Sequence, residues 1–366
     1  MIVSAPGKLM LSGEWSVLEK GAPCIVLAIN KKAYASVKES GETIVRLKSL
    51  GVETKAVISG TKINFKSEDD KLLFTQHATE TVLKYLKGGG IKTKNFELET
   101  WSDSMEVEVR GEKKKVGFGS SAAATVAITG ALLRLHGIGI ETGEEKNVLF
   151  KLSIVAHYFA QGKIGSGFDV AASTFGGALI YRRFDAEWLQ KELRGKSVHE
   201  VANEKWPGLE YRNLKLPKKM VIMVGFTGRS ASTKELVQKI NEFKKQKPGK
   251  YEKIISGIKE VTVQLAEAIG KSDEKKIVCL IDANRELLSR LSEESEANLE
   301  ISEHRKMSEI AAKHGAVAKF SGAGGGDSGI GITFDKRRAE KIILEWEKNG
   351  ITLIDAKISG KGATQE

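Results

Sequence analysis

Residues 116–124, Val116-Gly117-Phe118-Gly119-Ser120-Ser121-Ala122-Ala123-Ala124, run a glycine turn straight into an alanine-rich stretch. That stretch continues with Val126, Leu132, Leu133 and Leu135, and Gly137 follows it. The spacing predicts a buried helix over 119–135. A helix start exposes unpaired amides and the positive end of a dipole, so a start opened by glycines suits a phosphate group. Ser120 and Ser121 add hydroxyls for phosphate oxygens or a magnesium ion. The plain alternative is a Ser-capped structural helix. A Walker-type phosphate loop is excluded: Gly195-Lys196-Ser197 and Gly270-Lys271-Ser272 have Gln190 and Leu265 where the leading glycine belongs. Gly117-x-Gly119-x-x-Ala122 fits a loose dinucleotide fingerprint, with Glu141 as the distant acid. The strand that should lie between them, Ile138–Ile140, is three residues long and contains a glycine.

Three further segments are rich in glycine. Pro6-Gly7-Lys8-Leu9-Met10-Leu11-Ser12-Gly13-Glu14 follows a predicted strand, Met1–Ala5. Gly7 would let the backbone approach a ligand, and Lys8 brings a mobile charge. Ser321-Gly322-Ala323-Gly324-Gly325-Gly326-Asp327-Ser328-Gly329 lies between two predicted strands. Such a loop is costly to order unless it must lie close to a ligand or another segment. Gln161-Gly162-Lys163-Ile164-Gly165-Ser166-Gly167-Phe168-Asp169 places an acid at a glycine-framed turn before a run of small residues. Asp169 there reads as a helix cap, or as a catalytic group if Lys8 lies near it in space.

The 366 residues include 58 Lys and Arg against 47 Asp and Glu, a net charge of +11. That balance admits nucleic acid, an anionic surface or small anionic substrates as partners. Nucleic acid would call for aromatics interleaved with basic runs such as Lys113-Lys114-Lys115, and none are seen. The apolar run Cys24–Ile29 is far shorter than the roughly 20 residues of a membrane helix, so no membrane association is expected. The first thirty residues lack a signal-peptide pattern, and the expected compartment is the cytoplasm. Two cysteines, Cys24 and Cys279, make no disulfide framework, and the six histidines show no metal-ligand spacing.

The first part of the chain reads as strand-rich, with strands at Pro23–Ile29, Ala33–Lys38, Thr43–Leu47, Lys55–Ile58, Phe96–Trp101 and Glu106–Arg110. Helices are expected at Lys71–Leu86 and Glu144–Phe159. From Tyr181 to about Pro217 the chain is charged and irregular, which suggests a junction between domains 1–184 and 185–366. Beyond a strand at Lys219–Phe226 come helices near 232–247, 252–269, 273–292 and 300–314. Strands 316–320 and 329–334, helix 336–348 and strand 351–358 follow. This order implies an α+β layer with an antiparallel sheet.

Taken together and in this order, the Pro6, Gly117 and Ser321 segments resemble the three motifs of the GHMP kinase superfamily, over nearly the whole chain. Gln161 to Ala172, then Ile180-Tyr181-Arg182-Arg183-Phe184, and Thr227-Gly228-Arg229-Ser230-Ala231-Ser232-Thr233 resemble the phosphomevalonate kinase family within it. The resemblance implies two domains, the first like domain 2 of ribosomal protein S5 and the second ferredoxin-like, with the site between them. It implies an ATP- and Mg2+-dependent transfer of the γ-phosphoryl group onto (R)-5-phosphomevalonate, in a monomer or homodimer.

Residue by residue, Gly117, Phe118, Gly119, Ser120, Ser121, Ala122 and Ala123 would cradle the ATP phosphates, with Ser121 facing the metal. Lys8 and Asp169 would be the catalytic pair. Lys8, Ser166, Gly167, Arg182, Arg229, Ser230, Ser232, Gly322, Ala323 and Gly324 would meet the acceptor, with Arg183 and Lys319 as further cations. Phe118 departs from the usual leucine, which changes packing alone. His157 falls near the magnesium-binding glutamate of mevalonate kinases, which leaves the second metal ligand open. The competing readings are a mevalonate kinase or another small-molecule kinase of the same fold, a decarboxylase of that fold, a non-catalytic sensor, and a nucleic-acid-binding protein with an S5-like half.

Overall fold

The computed structural model describes residues 1–103, 106–109, 112–229 and 233–366. The first half holds strands β1 (Ile2–Ser12), β2 (Pro23–Glu39), β3 (Thr43–Leu47), β4 (Val52–Ser59) and β5 (Lys62–Phe65) and helix α1 (Leu73–Gly88). Strand β6 (Phe96–Ser102) and a small hairpin of β7 (Glu106–Val109) and β8 (Glu112–Lys115) come next. Helices α2 (Ser120–Leu135), α3 (Gly143–Ala160) and α4 (Phe168–Phe175) lead to β9 (Ala178–Arg182). The second half holds α5 (Ala186–Gly195), α6 (Val198–Asn203), β10 (Glu210–Leu214), β11 (Val221–Phe226), α7 (Thr233–Gln246), α8 (Pro248–Gly270) and α9 (Glu274–Glu294). It ends with α10 (Ser302–Lys313), β12 (Val317–Phe320), β13 (Ser328–Thr333), α11 (Lys336–Lys348), β14 (Thr352–Ile354) and β15 (Thr364–Gln365).

Strand β2 organises the larger sheet. The two strands expected at Pro23–Ile29 and Ala33–Lys38 are one strand of 17 residues. β1 pairs with it along one side, while β9 and β6 share the other side. Alternate side chains point to opposite faces. Val26 and Ala28 enter a core with α1, α2, α3 and α4, whereas Ile25, Leu27 and Ile29 enter a second core with α8, α9 and the small sheet. Burial on both faces is why Cys24–Ile29 is apolar throughout rather than alternating. The smaller sheet has the order β12-β13-β11-β14 and is antiparallel, as expected for an α+β half.

The junction expected after Phe184 falls inside the first core. Helices α5 and α6 contribute Leu189, Val198, Val201 and Ala202 to that core, and β10 pairs with β9 in the larger sheet. We therefore propose residues 215–220 as the junction. After β14 the chain crosses back to the first half. The Ser359 amide donates to Ala28 O (2.9 Å) and the Ala363 amide to Thr174 O (3.1 Å), and β15 pairs with Val3 and Ser4 of β1. No helix among the described residues is long and apolar enough to cross a membrane.

Candidate active site

The Pro6-Gly7-Lys8 segment lies inside β1 rather than after it. The β1–β2 register shifts between Pro6 and Gly7, a bulge that keeps the strand going and re-aims the next side chain. The Lys8 amide donates to Phe118 O (2.8 Å), and its ammonium donates to Gly117 O (3.0 Å). A Cβ on Gly7 would sit 2.7 Å from Phe118 O, so only glycine lets the strand touch this loop. Burial pulls the Lys8 ammonium below the usual lysine value, while the charges of Asp327, Asp169 and Glu14 act the other way.

Helix α2 starts from Gly119, at φ 74°, with no side-chain cap. The amides of its first turn are left for a ligand, which favours the phosphate reading over a Ser-capped structural helix. Ala122, Ala123 and Phe118 are buried behind the loop, so the phenylalanine acts in packing, as expected. Ser120 and Ser121 are partly exposed. The Ser121 hydroxyl lies 3.2 Å from His157 Nε2. The Gly117 amide donates to Asp327 Oδ1 (2.8 Å), and a Cβ on Gly117 would overlap that carboxylate. Asp327 is itself held at φ 64°, its amide on Arg229 O (2.6 Å) and its carbonyl accepting from Thr227 N (2.9 Å). Burial raises its carboxyl, with the Gly117 amide and Lys8 opposing.

Asp169 sits in the first turn of α4, behind Gly167 at φ 84°. Its Oδ1 accepts from the Val170 amide (2.9 Å), and its Oδ2 is 3.9 Å from His157 Nε2. Ser173 Oγ of the same helix donates to Pro6 O (2.7 Å), which ties the Asp169 helix to the Lys8 strand. Ser166 is buried, with its carbonyl accepting from the Tyr181 hydroxyl (2.7 Å). A Cβ on Gly167 would lie 2.9 Å from that same hydroxyl. His157 is 1 % exposed, and burial lowers its basicity while Asp169 opposes.

The third glycine-rich segment is pinned to β1 at one end. Ser321 Oγ accepts from the Met10 amide (2.8 Å) and donates to Met10 O (3.0 Å). Gly322 (φ 93°) has open space around it, and Ala323 packs against the core that holds Trp15 and Phe320. Gly324 (φ 77°) passes so near Leu299 that a Cβ would lie 2.5 Å from its carbonyl oxygen, which already accepts from the Gly325 amide (2.7 Å).

The expected acceptor cations fare differently. Lys319 is fully buried, donating to Glu14 and to Phe320 O (2.8 Å), so it is not a free cation for a substrate phosphate. Arg182 stands at the level of Pro23 along β2, and Lys8 at the level of Ala28. Five residues of strand separate them by roughly 16 Å. The Arg182 guanidinium is held by Gly21 O and Glu210 instead. Arg183 donates to Leu18 O (3.2 Å), and exposed Arg229 pairs with Glu303 (3.0 Å). Ser230 and Ser232 lie outside the described residues. The structure therefore gathers Lys8, the Gly117 loop, Ser121 and Asp169, and leaves Arg182 apart from them.

The N-terminal domain model of the GHMP kinases matches residues 76–177, and their C-terminal model matches residues 265–352. The chain is 32% identical over 344 residues to the mevalonate kinase of Thermococcus gammatolerans, spanning 89% of this chain and 87% of that one. The chain belongs to the GHMP kinases. This kinase is also 28% identical over 361 residues to the phosphomevalonate kinase of a Streptomyces species, across 95% of this chain and 94% of the relative. Streptococcus pneumoniae phosphomevalonate kinase, solved in complex with phosphomevalonate and AMPPNP, has the same two-domain fold. The TM-score is 0.82 and the identity 25%, over 98% of this chain and all of the other (100%).

Three residues beside these groups gain their partners only in the fold. Asp327 closes the Gly-Gly-Gly-Asp run, but its partner Gly117 is 210 residues away. Glu14 ends the first segment, and nothing local shows that it meets Lys319. His157 was noted only as a departure from a family pattern, although it contacts both Ser121 and Asp169.

Proposed function

We propose that this GHMP kinase is a phosphomevalonate kinase, moving the γ-phosphoryl group of ATP onto the 5-phosphate of (R)-5-phosphomevalonate. The observation that carries the reading is the Lys8 ammonium on Gly117 O at 3.0 Å. It sets one cation at the uncapped start of α2, where the charges of Asp327 and Asp169 favour its protonated form. The full-length likeness to phosphomevalonate kinases supports the choice of acceptor. Both reactants are water-soluble anions, and we assign the reaction to the cytoplasm.

Phosphoryl transfer depends on positioning and charge neutralisation more than on covalent chemistry by the protein. The first-turn amides of α2 and the Ser120 and Ser121 hydroxyls hold the nucleotide phosphates. An acceptor phosphate oxygen forms the new bond to the γ-phosphorus as the bond to the β,γ-bridging oxygen breaks, and ADP leaves with that electron pair. A phosphate monoester is largely ionised at neutral pH, with a second pKa near 6. Little base catalysis is then required of Asp169, which orients Lys8 and takes a residual proton. Lys8 neutralises the two phosphates that otherwise repel each other.

The residues present suit a magnesium ion. Among the described residues no three His, Cys, Asp or Glu could hold a metal unaided. The Ser121 hydroxyl and the Asp169 carboxylate approach the same imidazole nitrogen, at 3.2 and 3.9 Å. One hydroxyl and one carboxylate, completed by phosphate oxygens and water, form a donor set that magnesium accepts. A bound ion would neutralise phosphate charge.

The test is ADP release with MgATP against (R)-mevalonate, 5-phosphomevalonate, homoserine and galactose. Turnover confined to 5-phosphomevalonate is expected. The second reading, a mevalonate kinase, is favoured by the 32% identity to the T. gammatolerans enzyme. Turnover of mevalonate without 5-phosphomevalonate would establish it and overturn ours.

A further inference from the structure

Gly117 is gripped at both of its backbone polar groups. Its amide donates to Asp327 Oδ1 (2.8 Å), and its carbonyl accepts from the Lys8 ammonium (3.0 Å). Lys8 belongs to β1 in the first half, whereas Asp327 ends the glycine-rich segment of the second. The place of Asp327 is set without Gly117. Its amide donates to Arg229 O (2.6 Å), and its carbonyl accepts from the Thr227 amide (2.9 Å) and hydroxyl (3.0 Å). These bonds hold it at φ 64° with its carboxylate on the loop. The start of α2 is secured separately, by buried Phe118, Ala122 and Ala123 and by the Lys8 amide on Phe118 O (2.8 Å).

We propose that Asp327 is a positioning residue: by holding the Gly117 amide it places the carbonyl on which the Lys8 ammonium rests. The inference rests on Lys8 being the neutralising cation of the transfer, and not on which acceptor is used. Lysine carries its charge on a flexible stem, so its aim depends on what the ammonium rests against. A misplacement of about 1 Å can cost a reaction roughly 100-fold. Charge does not set Asp327 apart. Burial pulls the Lys8 ammonium below the usual lysine value, and Asp327, Asp169 and Glu14 all oppose that. The hydrogen bond to Gly117 belongs to Asp327. Through it the second half of the chain governs the catalytic lysine of the first.

The experiment compares wild type, Asp327→Asn and Asp327→Gly with MgATP and whichever of 5-phosphomevalonate and mevalonate the wild type turns over. Wild-type turnover of neither would overturn the kinase reading and this inference with it. An asparagine oxygen accepts from the Gly117 amide as the carboxylate does, and glycine offers no acceptor. Both residues adopt a positive φ readily, so both variants keep the backbone. Asp327→Gly is expected to lower kcat about 30-fold and Asp327→Asn less than about three-fold. The KM for ATP, and AMPPNP affinity by calorimetry, should stay within about three-fold in both. In a Lys8→Met background, Asp327→Gly should cost less than about three-fold further, because the group it acts through is gone. Equal losses from Asn and Gly would make charge the cause and overturn the proposal. An undiminished loss without Lys8 would overturn it too, as would a fall in AMPPNP affinity matching the fall in kcat. Should Asp327→Gly not fold, Asp327→Asn decides, and a kcat more than about ten-fold below wild type overturns the proposal.

Discussion

The loops 117–119 and 322–326 are both glycine-rich, but their glycines answer to different neighbours. In the first, an added Cβ would meet side chains that carry charge: Asp327 at Gly117, and the Lys8 stem 3.0 Å from Gly119. In the second it would meet backbone: Leu299 O at 2.5 Å from Gly324, and Arg229 O at 3.0 Å from Gly326. The first loop uses glycine to make room for the Asp327 and Lys8 side chains. The second uses it to let segments of chain pass each other. Substitutions should therefore disturb catalysis before stability in the first loop, and stability before catalysis in the second.

The largest expected effect tests the first half of that contrast. Lys8→Met should lower kcat/KM about 10³-fold while the melting temperature changes little. A loss under ten-fold would mean that Lys8 is not the neutralising cation. Because the Lys8 pKa lies below the usual lysine value of 10.5, its cation is lost as pH rises through that lowered value. The alkaline fall of kcat/KM should begin below pH 10.5, and Lys8→Arg should move it upward.

The next effect belongs to the second loop. His304 lies beside the backbone of Leu299 and Gly326, with Glu303 and Lys319 as its charged neighbours, and burial lowers its pKa from 6.5 to about 4. The folded state therefore binds fewer protons than the unfolded state between those values. Its contribution is complete above pH 6.5, and up to about 3 kcal/mol is lost as pH falls toward 4. Urea midpoints at pH 7 and 4.5 would show this, and His304→Phe should flatten that part of the profile.

Gly117→Ala should raise the KM for ATP roughly 100-fold and leave the urea midpoint nearly unchanged. Adding Asp327→Gly should recover part of the affinity, since it removes the atoms a Cβ would strike. Gly324→Ala should do the reverse, costing about 2 kcal/mol of stability with KM values shifted less than three-fold. If Gly324→Ala hurts KM more than stability, the contrast between the loops fails. Smallest of all, Asp169→Asn should lower kcat about ten-fold, because an ionised phosphate acceptor asks little of a base. A loss matching that of Lys8→Met would mean that Asp169 does more than orient Lys8 and take a residual proton.

How much of this was legible in the sequence depended on distance along the chain. The start of α2 was read correctly because glycine, serine and the apolar spacing stand side by side. The continuation of β1 through Pro6 was missed because Pro-Gly ordinarily ends a strand, whereas a bulge carries it on. β2 read as two strands because Asn30, Lys31 and Lys32 interrupt its apolar run, although they lie at the partly exposed middle of one strand. The stretch from Tyr181 to about Pro217 read as a domain junction because its charges hide the few apolar residues that reach the first core. Lys319 read as a substrate cation because lysines are seldom fully buried unless paired. Its partner, Glu14, is 305 residues away. No local pattern encodes such a meeting.

The return of residues 358–365 to β1 and β2 sets an order of events during synthesis. Nascent chains tend to fold from the N-terminal side first. Here the strand carrying Lys8 leaves the ribosome long before β15 exists, so its edge at Val3 and Ser4 waits open. The carbonyls of Ala28 and Thr174 wait likewise for Ser359 and Ala363. The first half of the site is thus begun first and closed last, after the rest of the described fold has been made.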